Sequence, residues 1–346
     1  MLRNESGSGN DVGDDRVTLA RVADEAGVSL STVSKVLNGR GDVAAATRTR
    51  VESLLEEHGY RRRAPAPPEA PLIELVFHEL ESAWSMELIR GVEDVASEIG
   101  ASVVLTKSGT RHAPAPAWVD SMLRRRPLGV VLVFSTLPEE YARKLRSRAI
   151  PYVIVDPAGD PEPEVPAVGS ANWSGGVAAT QHLLDHGHRR IAIITGPPDM
   201  MCSVARLAGY RSALQLAGIE PDPALIRFGD FHVEGGHKHA AELLDTPDRP
   251  TAIFAGSDLQ ALGVLEAARM RGLRVPTDLS VVGYDDIPVA RWSSPALTTI
   301  HQPLVRMGQE AARLVLRLRQ GDASATRMDL GVHLIVRDST AAPPTP

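Results

Sequence analysis

Apolar residues return at helical spacing three times near the start of the chain: Leu19, Val22, Ala23 and Ala26, then Leu30, Val33, Val36 and Leu37, then Val51, Leu54 and Leu55. Each set makes one stripe on a short helix, and together they predict a small three-helix core between Val17 and Tyr60. Thr18 is placed to cap the first helix and Gly27 to stop it; Ser29 or Ser31 caps the second, and Thr47 lies near the start of the third. Ahead of them, residues 1–15 have almost nothing to bury and read as a disordered leader.

Behind the helices, RRRAPAPPEAPL from Arg61 to Leu72 carries four prolines. Missing amide donors and fixed backbone angles make this an extended, semi-rigid connector and a domain boundary. Beyond it, β-branched runs alternate with amphipathic stretches. Strands are predicted at 72–77, 101–106, 128–134, 152–156, 190–195, 251–255 and 279–284, and helices at 86–99, 118–125, 139–148, 173–186, 204–216, 234–244 and 259–271. Such alternation implies an α/β body of parallel sheets made from right-handed βαβ units. Roughly 270 residues are too many for one open sheet, and similar strand counts on either side of Gly187 predict two Rossmann-like lobes. Pro295–Pro303, a helix to Arg319 and a strand Val332–Arg337 are expected to cross between the lobes and close the second. The expected division is leader 1–15, all-α head 16–61, linker 62–71, body 72–340 and tail 341–346.

At 346 residues, 43% of them hydrophobic and 23% charged, the chain can bury more than one core and is neither disordered nor fibrous. No apolar run approaches the roughly 18 residues that span a bilayer, and MLRNESGSGN lacks the order of a secretory signal, so a cytoplasmic protein without a membrane partner is expected. The single Cys202 excludes an internal disulfide and a cysteine zinc cluster. The net charge of -6 argues against nucleic acid until it is divided along the chain. Arg16 to Arg63 holds nine basic against six acidic residues, a net of +3 that leaves -9 for the rest. A basic head on an acidic body suggests that only the head meets phosphate.

VTLARVADEAGVSLSTVSKVLN, from Val17 to Asn38, has the form of a helix-turn-helix, two short helices about a Gly-containing turn that would set the second helix into a DNA major groove. Ser29, Leu30, Ser31, Thr32, Ser34 and Lys35 then face bases and phosphates, the hydroxyls and the lysine by hydrogen bonds and Leu30 by contact with a thymine methyl. Thr18, Asn38 and Arg61, Arg62 and Arg63 complete the DNA-binding candidates. The plain alternative is a three-helix bundle with capping serines.

Val17 to Tyr60, with GVSLSTVSKVLN and the closing HGYR, resembles the LacI/GalR-type transcriptional regulators. The likeness continues through HGHRRIAIITG, ARLAGYRSAL, AGSDLQALGVLEAA and LSVVGYDDIPVARWSSPALTTIHQP. It implies a DNA-binding head on a two-lobed, periplasmic-binding-protein-like sugar-binding body, working as a homodimer on near-palindromic double-stranded operator DNA. It places Leu30 and Ser31 at the main base-reading positions and Lys35 where the family often has arginine, which alters guanine reading because lysine lacks the planar fork. Where the family's hinge helix wedges a leucine into the minor groove this chain has Glu69, so a weak central kink or none is expected, with Arg61, Arg62 and Arg63 holding the backbone or minor groove instead.

A cleft between open α/β lobes binds ligand at strand C-terminal ends, where carbohydrate needs planar charged groups for vicinal hydroxyls and an aromatic face for the ring. Asp285 ends a predicted strand, Arg206 opens a predicted helix, and both match sugar-contacting positions of the family; Phe231 matches its ring-stacking aromatic. Trp84 and Glu87 are expected as first-lobe walls, and Asp156, Ser257, Asp258 and Gln302 at other strand ends. The expected effector is a small sugar, by analogy a plant-derived mono- or disaccharide.

Enzyme chemistry finds little support. His182, His186 and His188 have no Glu in HExxH order, and His237 and His239 diverge on a helix. There is no G-x-S-x-G, no G-x-G-x-x-G after the first strand and no phosphate loop with lysine. Asp285 and Asp286 point to different sides of a turn, against a glycosidase pair. The expectation is a repressor with no catalytic residue, metal or cofactor. The alternative is a sugar-binding protein or carbohydrate-acting enzyme without DNA binding.

Overall fold

The computed structural model of the chain describes residues 19–37, 43–58, 71–80, 83–109, 113–133, 136–157, 165–322 and 327–344. They belong to two units, residues 1–69 and 70–346. The expected leader, Thr18, Asn38, Arg61, Arg62, Arg63 and the connector as far as Ala70, with Glu69, lie outside the described residues.

In the first unit α1 (Leu19–Ala26), α2 (Leu30–Leu37) and α3 (Ala45–Glu57) bury Val22, Ala23, Ala26, Val33, Val36, Val51 and Leu55 in one core. Gly27 adopts φ +65° and the Val28 N–H reaches back to the Ala23 carbonyl at 3.0 Å. That closure needs a left-handed residue, which glycine supplies at least cost. Ser29 takes the capping role, its Oγ accepting from the Thr32 N–H at 3.2 Å. Thr47 lies inside α3, whose N-cap is Ala44.

The second unit runs β1 (Leu72–Phe77), α4 (Ala83–Glu98), β2 (Ser102–Lys107), α5 (Pro116–Arg125), β3 (Gly129–Val133), α6 (Glu139–Arg146), β4 (Tyr152–Val155), β5 (Ala167–Ser170), α7 (Asn172–Asp185), β6 (Ile191–Thr195) and α8 (Met201–Leu216). It continues with β7 (Ile226–Phe228), α9 (Val233–Leu244), β8 (Ala252–Ala255), α10 (Asp258–Met270), β9 (Ser280–Asp285), α11 (Val289–Trp292), β10 (Thr298–His301), α12 (Leu304–Arg319), β11 (Arg327–Leu330) and β12 (His333–Ile335). The first lobe's sheet is ordered β11-β5-β4-β3-β1-β2 and the second's β12-β10-β9-β8-β6-β7. All pairings are parallel except that of β12 with β10.

The chain crosses between lobes at Ala171, at Gln302–Pro303 and between β11 and β12. Two expectations change. The lobe boundary falls before α7, whose Ala179 and Leu183 pack with Leu207 and Tyr210 of α8, rather than at Gly187. The helix ending at Arg319 belongs to the first lobe, burying Leu304, Met307, Ala311 and Val315 against Leu88 and Val92 of α4. Strands β5, β7, β10 and β11 went unpredicted because each is three or four residues long and lacks the continuous apolar run that marks the equally short β4 and β8.

Helices pair by close backbone approach. Gly91 of α4 faces Gly308 of α12, Gly176 of α7 faces Gly209 of α8, and Gly236 of α9 faces Gly263 of α10; a Cβ at any of them would strike the partner helix backbone. Alanine at Gly308 should therefore lose more by forcing α4 and α12 apart than it gains in helix propensity, a net destabilisation of about 1–3 kcal/mol. Urea unfolding of Gly308→Ala is expected to show a lower midpoint at unchanged slope; an unchanged midpoint would mean that the two helices part cheaply.

Candidate functional site

On the first unit, the outward face of α2 is set by what its inward face buries. With Val33 and Val36 in the core, Leu30, Ser31 and Ser34 are exposed and Thr32 and Lys35 half-buried. Leu30, counted in the buried stripe by periodicity, is 52% exposed at the first turn. Ser29 is occupied locally: besides capping α2, its Oγ lies 2.8 Å from Ser31 Oγ and 2.9 Å from Thr32 Oγ1.

In the second unit a cavity of about 430 Å³ lies at the strand C-terminal ends of the two lobes. The first lobe contributes Phe77, His78 and Glu79 from the end of β1 and Trp84 and Ser85 from the start of α4. The second contributes Met200, Cys202 and Arg206 around α8, Asp230, Phe231 and His232 before α9, Ser257 before α10, and Asp285 from the end of β9. Glu79 Oε1 meets Nε2 of His78 at 3.3 Å and Nε2 of His232 at 3.0 Å, the latter joining the lobes.

Arg206 organises the cavity floor. It lies in the second turn of α8, which begins at Met201, rather than opening the helix. Its Nε donates to Asn172 Oδ1 at 2.9 Å, Nη1 to the Gly256 carbonyl at 2.5 Å and Nη2 to Gln302 Oε1 at 3.4 Å. The guanidinium lies 3.6 Å from the Tyr284 ring centroid and 3.9 Å from Asp285 Oδ1. Asp285 adopts φ 108° and Phe231 φ 70°, left-handed conformations that turn each chain sharply at the cavity. Gly196 leaves room for the Phe231 ring, since a Cβ there would overlap it. Ser257 caps α10 through the Gln260 N–H at 3.1 Å and donates to the Phe231 carbonyl at 3.0 Å.

Four expected wall residues stand elsewhere. Glu87 pairs with Arg90 one turn along α4, at 2.9 Å, and does not line the cavity. Asp258 is wholly buried, accepting from Thr299 Oγ1 at 2.5 Å and the Ile287 N–H at 2.9 Å, so it braces the turn that carries Asp285. Gln302 is buried behind Arg206, its Nε2 donating to Asp156 Oδ2 at 3.2 Å and Ser170 Oγ at 3.0 Å. Asp156 opens onto a smaller hollow of about 210 Å³ instead. Conversely, His78, Glu79, Asp230 and His232 went unpredicted: they sit in loops where spacing carries no period, and only their place after a strand marks them. Of the histidines considered for a metal, His182 and His188 hold residues 340–341, His182 Nε2 to Thr340 Oγ1 at 2.9 Å and His188 Nε2 to the Ala341 carbonyl at 2.8 Å, while His186 Nδ1 meets the His182 carbonyl at 2.8 Å.

Burial raises the acids here. Desolvation pushes Asp285 up to about 7 and Asp156 to about 6, in each case opposed by the Arg206 charge, and it pushes the Cys202 thiol up to about 12.

The model of the lacI family of bacterial regulatory proteins matches residues 18–63, and that of a periplasmic binding protein-like domain matches 180–340. The chain is 38% identical to the HTH-type transcriptional regulator CelR of Thermobifida fusca, covering 94% of this chain and 98% of that protein. It is 36% identical to the HTH-type transcriptional repressor CytR of Escherichia coli (strain K12), over 94% and 97%. Among solved structures, a transcriptional regulator CelR–cellobiose complex aligns with TM-score 0.71 at 39% identity, covering 94% of this chain and all of that one. The lac repressor dimer bound to operator and the anti-inducer ONPF aligns with TM-score 0.69 at 30% identity, over 94% and 99%.

Between the ordinary carboxylate range near pH 4 and the raised values of Asp156 and Asp285, about 6 and about 7, the folded body holds more protons than the unfolded chain. These groups therefore make stability fall as pH rises through that window. Asp285→Asn, which tolerates the positive φ, is expected to flatten that fall and to melt above the parent at pH 8; a thermal-unfolding series with an unchanged slope would mean that Asp285 is ionised throughout.

Proposed function

The chain belongs to the LacI family of bacterial regulatory proteins, and from that premise we propose a repressor whose hold on operator DNA is set by a small sugar bound in the body's cavity. It is a DNA-binding transcriptional regulator with a periplasmic-binding-protein-like body, and its relatives across 94% of the chain are regulators rather than enzymes. The reading of a sugar-binding protein or enzyme without DNA binding falls with that. In our reading residues 16–61 are the head, 62–71 the connector and 72–340 the body, and the protein works as a homodimer in the cytoplasm.

The observation that carries the effector reading is a buried guanidinium, Arg206, at the floor of a cavity shared by both lobes, with an aromatic face, Phe231, 5.6 Å from it. Arg206 has three of its N–H groups taken by Asn172, Gly256 and Gln302, so by valence two remain for vicinal hydroxyls. Phe231 takes the apolar side of a sugar ring, and Ser257 and Asp285 the remaining hydroxyls. A mono- or disaccharide fits this chemistry; the similar regulator CelR is solved as a complex with cellobiose. Leu30 and Ser31 read base edges, while Lys35, Ser34 and Thr32 hold base or phosphate.

Fluorescence anisotropy on labelled DNA from upstream of the gene, titrated with protein and then with neutral mono- and disaccharides, tests both halves. Arg206→Ala is expected to keep operator binding and lose release by sugar; retained release would remove Arg206 from the site. Leu30→Ala is expected to weaken specific binding roughly tenfold, the scale of one base contact, while leaving low-salt non-specific binding intact. Equal loss on all sequences would make Leu30 a structural residue.

A further inference from the structure

The charge of the cavity wall narrows the effector further, on the reading that this cavity is the effector site. Three carboxyl groups line it, Glu79, Asp230 and Asp285, against the one guanidinium of Arg206. That guanidinium is compensated by Asp285 at 3.9 Å, with Asp156 also acting on it. The two imidazoles in the wall, His78 and His232, both direct Nε2 at Glu79 Oε1.

Helix N-termini are the other common cradle for an anion, and those of α9 and α10 are occupied by the chain's own side chains. The approach to α9 is taken by Asp230, whose Oδ1 accepts from the His232 N–H at 2.9 Å. At α10, Ser257 Oγ accepts from the Gln260 N–H, and the Asp258 carboxyl is folded beneath the turn, accepting from the Ile287 N–H. A ligand phosphate or carboxylate would thus leave water for a wall in which carboxyl groups outnumber the one guanidinium, itself beside a carboxyl.

We infer that the cavity accepts uncharged saccharides and rejects phosphorylated or carboxylated ones, Glu79 being the residue on the first lobe that imposes the rejection. Hydroxyls suit the same wall, since they can donate to Glu79, Asp230 and Asp285 and accept from Arg206.

The test separates charge from size. Full-length protein is titrated calorimetrically with cellobiose and the other neutral sugars of the anisotropy panel, then with the aldonic acid of the sugar that binds and with the corresponding aldonamide, which differs from it only in charge. The expected result is an aldonate at least tenfold weaker than the amide at low salt, with most of that gap closed in Glu79→Gln and narrowed in the parent as salt is raised. An aldonate that binds the parent as tightly as the amide overturns the inference while leaving the effector site standing. So does a gap that Glu79→Gln leaves unchanged, as regards the role of Glu79. If no saccharide binds, or if Arg206→Ala binds the sugar as the parent does, the effector reading itself fails and this inference with it.

Discussion

A guanidinium that is 3% exposed stands at the centre of the body, and most of the cavity can be understood as the set of neighbours that make it tolerable. Taking such a charge out of water costs several kcal/mol unless acceptors surround it. Arg206 finds them in an amide, a carbonyl and a second amide from three separate elements, with the Tyr284 ring beneath and carboxylates close by. Each requirement fixes a backbone: Gly256 must follow β8 with its carbonyl turned toward the guanidinium, Asn172 must begin α7, and Asp285 must end β9 at positive φ. The raised carboxyls of Asp156 and Asp285 follow from the same burial, one cation being shared among more than one acid.

The same residue links the cavity to the crossings. Gln302 lies in the short segment between β10 and α12, where the chain passes from the second lobe to the first. Its carbonyl oxygen receives Arg206 and its amide nitrogen donates to Asp156 and Ser170, both at the first-lobe edge of the Ala171 crossing. A continuous run of buried hydrogen bonds therefore joins the cavity floor to two of the three places where the lobes are covalently connected. The expectation that Gln302 and Asp156 touch ligand took their position at strand ends correctly but missed that the space beside Arg206 was already theirs.

What could be read from the sequence divides by whether a period or a long-range contact decides it. Helix stripes such as Val22, Ala23 and Ala26, and apolar runs such as Leu72–Phe77, announce themselves, because burial on one face imposes a repeat. Family motifs carried Arg206, Phe231 and Asp285 to the cavity. The short edge strands β7 and β11, with a charged residue in each, are fixed by the neighbour they join and leave no pattern of their own. Glu87 and Asp258 show the limit from the other side: a carboxylate near a strand end looks alike whether it faces ligand, an arginine one turn away, or a buried threonine. Leu30 was counted in a buried stripe and as a base contact at once, and only the exposed face of α2 separates the two.

A regulator of this build needs a ligand that binds one arrangement of the lobes better than another, because equal affinity for both shifts nothing. The wall meets that condition by being divided: Arg206, Phe231 and Asp285 belong to the second lobe, Trp84 and Glu79 to the first. A sugar held by one lobe alone would bind without consequence. One that spans both adds its contacts only when they face each other as here, where Glu79 already reaches His232 across the cavity. The interaction energy across the divide is thus the upper bound on the coupling between sugar and operator, and thermodynamic reciprocity requires operator to alter sugar affinity by the same factor.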